Sequence, residues 1–122
     1  MDRTFRQLIE INRVVATGFD ERERRQWGVE ALIMELAKQV GDLAAAVLTT
    51  ERYYLADREQ DPRYGGGTAR IGNELADTFY CVLRLADHYD IDLESAHLSA
   101  RRAEWSYLYP GSEPPWDSSD EP

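Results

Sequence analysis

Along two long stretches of the chain, apolar positions recur at alternating steps of four and three residues. The first reads Val29, Ile33, Leu36, Val40, Leu43, Val47 and the second Ile71, Leu75, Thr78, Val82, Leu85, Tyr89. This is the spacing of helices packed along a single face, so the two stretches are predicted to be helices that meet along these seams. Two more helices frame them. One runs from Thr4, its N-cap, to about Val15, with Phe5, Leu8, Ile9, Ile11 and Val15 on a broad apolar face, and Gly18 is expected to end the pattern. The second helix starts near Asp20 or Trp27 and extends to about Tyr54. Asp61-Pro62 and Gly65-Gly66-Gly67 mark a flexible loop, after which Thr68 is placed to cap a third helix reaching about Tyr89. Asp92 is placed to cap a fourth, on which Leu93, Ala96, Ala100, Ala103 and Tyr107 follow helical steps and the small residues permit close packing. With no convincing strand, the expected class is all-α, a four-helix bundle assembled as a dimer or higher oligomer. Residues 1–110 form the expected domain. Residues 111–122, rich in proline, serine and acid around Trp116, are expected as a disordered acidic tail.

Acidic residues stand one position ahead of both seams, as Glu35-x-x-x-Gln39-x-x-Asp42 and Glu74-x-x-Asp77. Steps of four and seven return nearly to the same angle on a helix, so Glu35, Gln39 and Asp42 share one flank and Glu74 and Asp77 line another. If the seams meet, carboxylates gather inside the bundle. Like charges that close resist joint ionisation unless something neutralises them, and a hard divalent cation with oxygen ligands does so. Magnesium, or manganese in its place, acting on a phosphorylated substrate is the chemistry this pattern points to.

Composition narrows the partners. The chain has 122 residues and a formal charge of -9, which argues against a nucleic-acid polymer, because that binding needs clustered Lys and Arg. A small phosphate ligand stays compatible, since metal ions can bridge carboxylates to phosphate oxygens. Cys81 is the single cysteine and lies beside the second seam, where it reads as a small buried hydrophobe. No apolar run approaches the ~20 residues of a membrane span and no targeting segment is visible, so no membrane partner and a cytoplasmic location are expected.

The stretch Leu36-Ala-Lys-Gln-Val-Gly-Asp-Leu-Ala-Ala-Ala-Val47, then Asn73-Glu-Leu-Ala-Asp77, then Leu83-Arg-Leu-Ala-Asp-His-Tyr-Asp-Ile-Asp-Leu93 resembles the MazG-like all-α nucleoside triphosphate pyrophosphohydrolases, over roughly Trp27 to Pro110. The resemblance implies a helical bundle, dimeric or tetrameric, that binds magnesium between two acidic helices and cleaves a nucleoside triphosphate to the monophosphate and pyrophosphate. It implies Glu74 and Asp77 as metal ligands, with Asp42 in place of the last Glu of the family's first motif. Lys38 and Gln39 stand where that motif has two glutamates; the Gln39 amide keeps an oxygen able to ligate but loses the charge. Glu35, one turn earlier on the same flank, is the candidate to orient the attacking water. Arg101 and Arg102 are the candidate phosphate groups ahead of Tyr109-Pro110, although Trp105 and Ser106 occupy places where the family tends to have Asn and Arg. Trp27, with Phe79 or Tyr80, is the candidate platform for the base.

Plainer readings stand beside these. Lys38 and Asp42 can be a surface pair, Trp27 a core anchor, Gly65 to Gly67 a hinge, and Arg101 and Arg102 partners for nearby acids. His88 and His97 lack a metal-binding spacing. The departures at Lys38, Gln39 and Trp105 favour, as the alternative function, a catalytically degenerate MazG-like protein serving as a nucleotide sensor or interaction module. A third reading is a purely structural helical dimer.

Overall fold

The computed structural model describes residues 2–62 and 65–117, and these are all-α, with no strand. Four helices are present: α1 (Phe5–Asp20), α2 (Val29–Thr50), α3 (Thr68–His88) and α4 (Leu93–Leu108), with short 3-10 turns at Arg58–Gln60 and Pro115–Asp117. They divide into two compact units, one ending at Tyr89 and the other beginning at Asp90. No helix among the described residues is long and apolar enough to cross a membrane.

Local chemistry sets most of the boundaries. Thr4 caps α1 in a reciprocal box: its hydroxyl accepts from Gln7 N at 3.1 Å, and Gln7 Oε1 accepts from Thr4 N at 2.8 Å. The helix continues through Gly18, where a stop was expected. A glycine inside a helix costs ~1 kcal/mol relative to alanine. The next two residues offset this, because Phe19 meets the Tyr80 ring and Asp20 pairs with Arg84 on α3. α2 begins at Val29 and ends at Thr50, shorter than expected at both ends. Near its C-terminus the Thr49 and Thr50 hydroxyls bond back to Ala45 O and Ala46 O, and Arg52 then takes a left-handed φ of 62°. α3 is capped by Gly67, not Thr68. That position has φ 99°, which only glycine adopts readily. Asp92 caps α4 as its sequence suggests, accepting from Ser95 N at 3.0 Å.

α2 and α3 pack as an antiparallel hairpin, with Gly67 N donating to Thr50 Oγ1 at 2.7 Å where the hairpin closes. A Cβ on Gly66 would meet Thr49 Cγ2, Thr50 N and Thr50 Oγ1 at 3.0 Å, so the loop presses directly on the end of α2. The expected seam is displaced in part. Ala46 and Thr49 are buried, and steps of seven from Ala46 bring Gln39 and Leu32 onto the same side. Of the expected seam, Val29, Leu36 and Leu43 are half-buried, as are Glu35, Gln39 and Asp42, whereas Ile33, Val40 and Val47 face outward, 49%, 49% and 40% exposed. On α3, Glu74 and Cys81 lie inward together with Ile71, Thr78, Val82 and Leu85 of the expected seam, while Leu75 and Tyr89 are exposed. Leu32, Ala46, Cys81 and Leu83 make up the buried hydrophobic core among the described residues. α1 adds to it over a short stretch of α3: Phe5 meets Phe79, Asn12 Nδ2 bonds Tyr80 O at 3.4 Å, and Arg13 forms a two-toothed ion pair with Asp87.

The second unit folds on itself. Residues 111–117, expected as the start of a disordered tail, return along α4: Trp105 Nε1 donates to Ser112 O at 3.2 Å, Trp116 stacks edge-on to Trp105 at 5.7 Å, and Asp117 takes Arg102. The rest of that expected tail, residues 118–122, lies outside the described residues.

Candidate functional site

Two tie points set the register of the hairpin. Thr50 meets Gly67 at its closed end. Further along, Glu35 and Cys81 line the same cavity, and Glu35 acts electrostatically on the Cys81 thiol. Seven residues forward from Glu35 is Asp42, and seven back from Cys81 is Glu74; four residues in each direction reach Gln39 and Asp77. Both helices rise ~1.5 Å per residue, so Asp42 is level with Glu74 and Gln39 with Asp77. The two acidic rows thus share levels on neighbouring helices. The Cys81 thiol records the same convergence: burial pushes its pKa up first, and the charges of Glu35 on α2 and Asp77 on α3 push it further.

Glu35, Asp42 and Glu74 each have a cation or amide of their own helix beside them. Lys38 Nζ lies 3.4 Å from Glu35 Oε1 and 3.6 Å from Asp42 Oδ2, and those two acids, Glu35 foremost, hold its ammonium above the usual lysine pKa. Gln39 Nε2 donates to Glu35 Oε1 at 3.1 Å. On α3, Arg70 Nε is 3.9 Å from Glu74 Oε1, a carboxylate only 18% exposed. These contacts draw the acids along their own helices, and no three of His, Cys, Asp and Glu stand together as a metal-binding group among the described residues. The donor set nonetheless fits a hard divalent cation in kind: Asp42, Glu74 and Asp77 offer carboxylate oxygens and Gln39 an amide oxygen. Lys38 and Arg70 are what a cation would displace.

Trp27 lies next to this region and borders two cavities shared with Glu35. One, of about 650 Å³, also has Arg25, Met34 and Lys38 on its walls. The other, of about 240 Å³, is closed by Phe19, Glu23, Tyr80, Cys81 and Arg84. Tyr80 thus joins Trp27 as the sequence suggested. Phe79 does not; it packs on Phe5 with ring centroids 6.2 Å apart and borders neither cavity. Arg101 and Arg102 lie in the second unit, where Arg101 pairs with Glu104 and Arg102 forms a fork on Asp117 at 2.8 and 2.6 Å. Both contacts match the plainer reading of these arginines. Of the histidines, His97 Nδ1 lies 3.3 Å from Arg101, and His88 closes α3 against the Tyr89 ring.

Arg84 and Glu23 are the residues that pattern reading passed over. Arg84 is only 13% exposed, lies 5.5 Å from the Trp27 ring centre and 6.0 Å from that of Tyr80, and pairs with Asp20 and Glu23. Its signal was a lone arginine between Leu83 and Leu85 in an otherwise apolar run, where a buried charge must find partners. The chain matches no family model, no curated protein and no solved structure.

Proposed function

We propose that this chain is a magnesium-dependent nucleoside triphosphate pyrophosphohydrolase of the MazG-like kind, a cytoplasmic homo-oligomer that cleaves a nucleoside triphosphate to the monophosphate and pyrophosphate. The observation that carries this reading is the shared level of Asp42 with Glu74 and of Gln39 with Asp77 on adjacent antiparallel helices. Asp42, Glu74, Asp77 and the Gln39 oxygen would hold the ion, whose chemistry there is to offset phosphate charge and acidify a bound water. The remaining roles belong to the protein. Glu35, paired with Lys38 and bonded by Gln39, is placed to accept a proton from water and orient it. Trp27 offers an aromatic wall for a base at the mouth of the cavity that Glu35 and Lys38 share. The outward stripe of Ile33, Val40 and Val47 supports self-association, because apolar side chains at this spacing gain by covering one another.

One observation favours the degenerate alternative, a nucleotide sensor or interaction module. The Lys38 ammonium already lies between Glu35 and Asp42 and supplies the positive charge that a metal would bring. Incubating the purified protein with a panel of ribo- and deoxyribonucleoside triphosphates and magnesium or manganese decides between the two. Pyrophosphate release that is lost in Glu74→Ala/Asp77→Ala supports the hydrolase. Nucleotide binding with no pyrophosphate from any member of the panel supports the sensor.

A further inference from the structure

The connection between α1 and α2, residues 21–28, is neither helix nor strand, and its backbone bonds at Arg22 and Glu23 return only to Phe19 O. Side-chain contacts, not a backbone ladder, therefore set where Trp27 stands. One side chain of α3 makes several of them. Arg84 pairs with Asp20 at the end of α1 and with Glu23 at 3.9 Å, and its guanidinium carbon lies over the Trp27 ring, 5.5 Å from the centre. A charge only 13% exposed is costly to bury unless it is paired, so the guanidinium and its partners hold one another in place. The flat fork meets two acids and an aromatic face at once, which a lysine ammonium does not do.

Trp27 borders three cavities. Arg84 shares the two smaller ones, of about 400 and 240 Å³, and is absent from the walls of the one of about 650 Å³. The indole thus stands between Arg84 and the larger cavity, where Met34, Glu35 and Lys38 are among the other walls. A flat ring entering that cavity meets an aromatic wall already backed by a cation. Ordering a side chain before binding removes the entropy cost of ordering it on binding. We propose that Arg84 is a positioning residue: by holding Trp27 it sets the affinity of the larger cavity for the flat ring of a nucleotide, although it borders no part of that cavity. Every base has a π-face, so the effect separates ligands with a base from those without one more than it separates one base from another. The inference rests on the nucleotide reading above, but on ring binding rather than on cleavage.

Fluorine NMR of the full chain labelled with fluorotryptophan tests it, with the Trp27 resonance assigned from Trp27→Phe. The four common ribonucleoside monophosphates and ribose phosphate, which has no base, are titrated without metal. At least one nucleotide is expected to move the Trp27 resonance and leave those of Trp105 and Trp116 in place. Arg84→Lys is expected to shift the Trp27 resonance of the free protein, to weaken that nucleotide about tenfold and to leave ribose phosphate unchanged. In a Trp27→Leu background the same substitution should have no further effect, because Arg84 acts through the ring. Asp20→Asn, at an exposed side chain, loosens Arg84 without emptying its place and is expected to weaken the nucleotide about threefold. A Trp27 resonance that no nucleotide moves, affinities unchanged in both Arg84→Lys and Asp20→Asn, or an equal loss for ribose phosphate would overturn the proposal. The outcomes separate the two claims. Nucleotide binding that moves Trp27 and depends on Arg84, without pyrophosphate release from any triphosphate, keeps the positioning role and removes the hydrolase; release with a KM that Arg84→Lys leaves unchanged does the reverse.

Discussion

The two units handle buried and charged surface in opposite ways. In the α4 unit the arginines and aromatics are matched to one another: Arg101 has Glu104, Arg102 has Asp117, and Trp105 gathers Tyr109, Trp116 and Ser112 around itself. In the α2–α3 hairpin, polar Glu35, Gln39, Asp42, Glu74 and Thr78 lie on the packed side, while apolar Ile33, Val40 and Val47 point away. Burying apolar surface is favourable and burying carboxylates is costly. The hairpin thus carries acids, with the Glu35 and Asp42 side chains 31% and 47% exposed, beside the small apolar core of Leu32, Ala46, Cys81 and Leu83.

Stability measurements offer the sharpest break of this comparison. Leu32→Ala or Leu83→Ala, in the small core, is expected to lower unfolding free energy by ~2 to 5 kcal/mol. Ile33→Ser or Val40→Ser, measured at dilutions where the chain is monomeric, should stay within ~0.5 kcal/mol of the parent. Urea titrations followed by circular dichroism would read both; a serine variant that costs as much as the alanine ones would show the outward stripe to be core. Smaller in effect is Gln39→Glu, which restores a fourth carboxylate to the shared level. Magnesium should then bind about tenfold more tightly in a thermal-shift titration, equal to ~1.4 kcal/mol. In the absence of metal the same variant should be slightly less stable, because a like-charge pair with Glu35 replaces a hydrogen bond.

The smallest expected effect concerns the α4 unit. The Arg102 hydrogen bond holds the Asp117 carboxyl below its usual value of 3.8. A depressed carboxyl contributes stability above its unfolded value and loses it as pH falls through its folded one. The return of residues 111–117 along α4 should thus persist at neutral pH and open only in strong acid. Asp117→Asn should open it at all pH values, seen as a shift of the Trp105 indole proton resonance, while the hairpin stays unchanged.

How much of this was legible in the sequence follows from what each signal measures. Thr4 and Asp92 announced two helix starts because a side-chain cap is a local device. The heptad steps marked the helices and half of the packed face of α2, with Val29, Leu36 and Leu43 half-buried and Ile33, Val40 and Val47 exposed. Periodicity finds the most apolar stripe, whereas the buried face also holds Ala46 and Thr49, whose partners lie on a helix distant in sequence. The acidic rows were visible as spacing, and their shared level follows once the hairpin is closed. Glu23 and Arg84 were not visible, since an acid in a charged run and one arginine in an apolar run acquire meaning only when α1 and the linker bring them together.

Gly66 bears on how tightly the hairpin closes. Because its Cα lies against the last turn of α2, the loop leaves no room for a side chain at the closed end of the hairpin. Adding a methyl there would force the loop and the last turn of α2 to give by a few tenths of an ångström, a small part of the ~1.5 Å that separates one residue from the next along a helix, so the closed end of the hairpin would loosen while Asp42 and Glu74 kept their level.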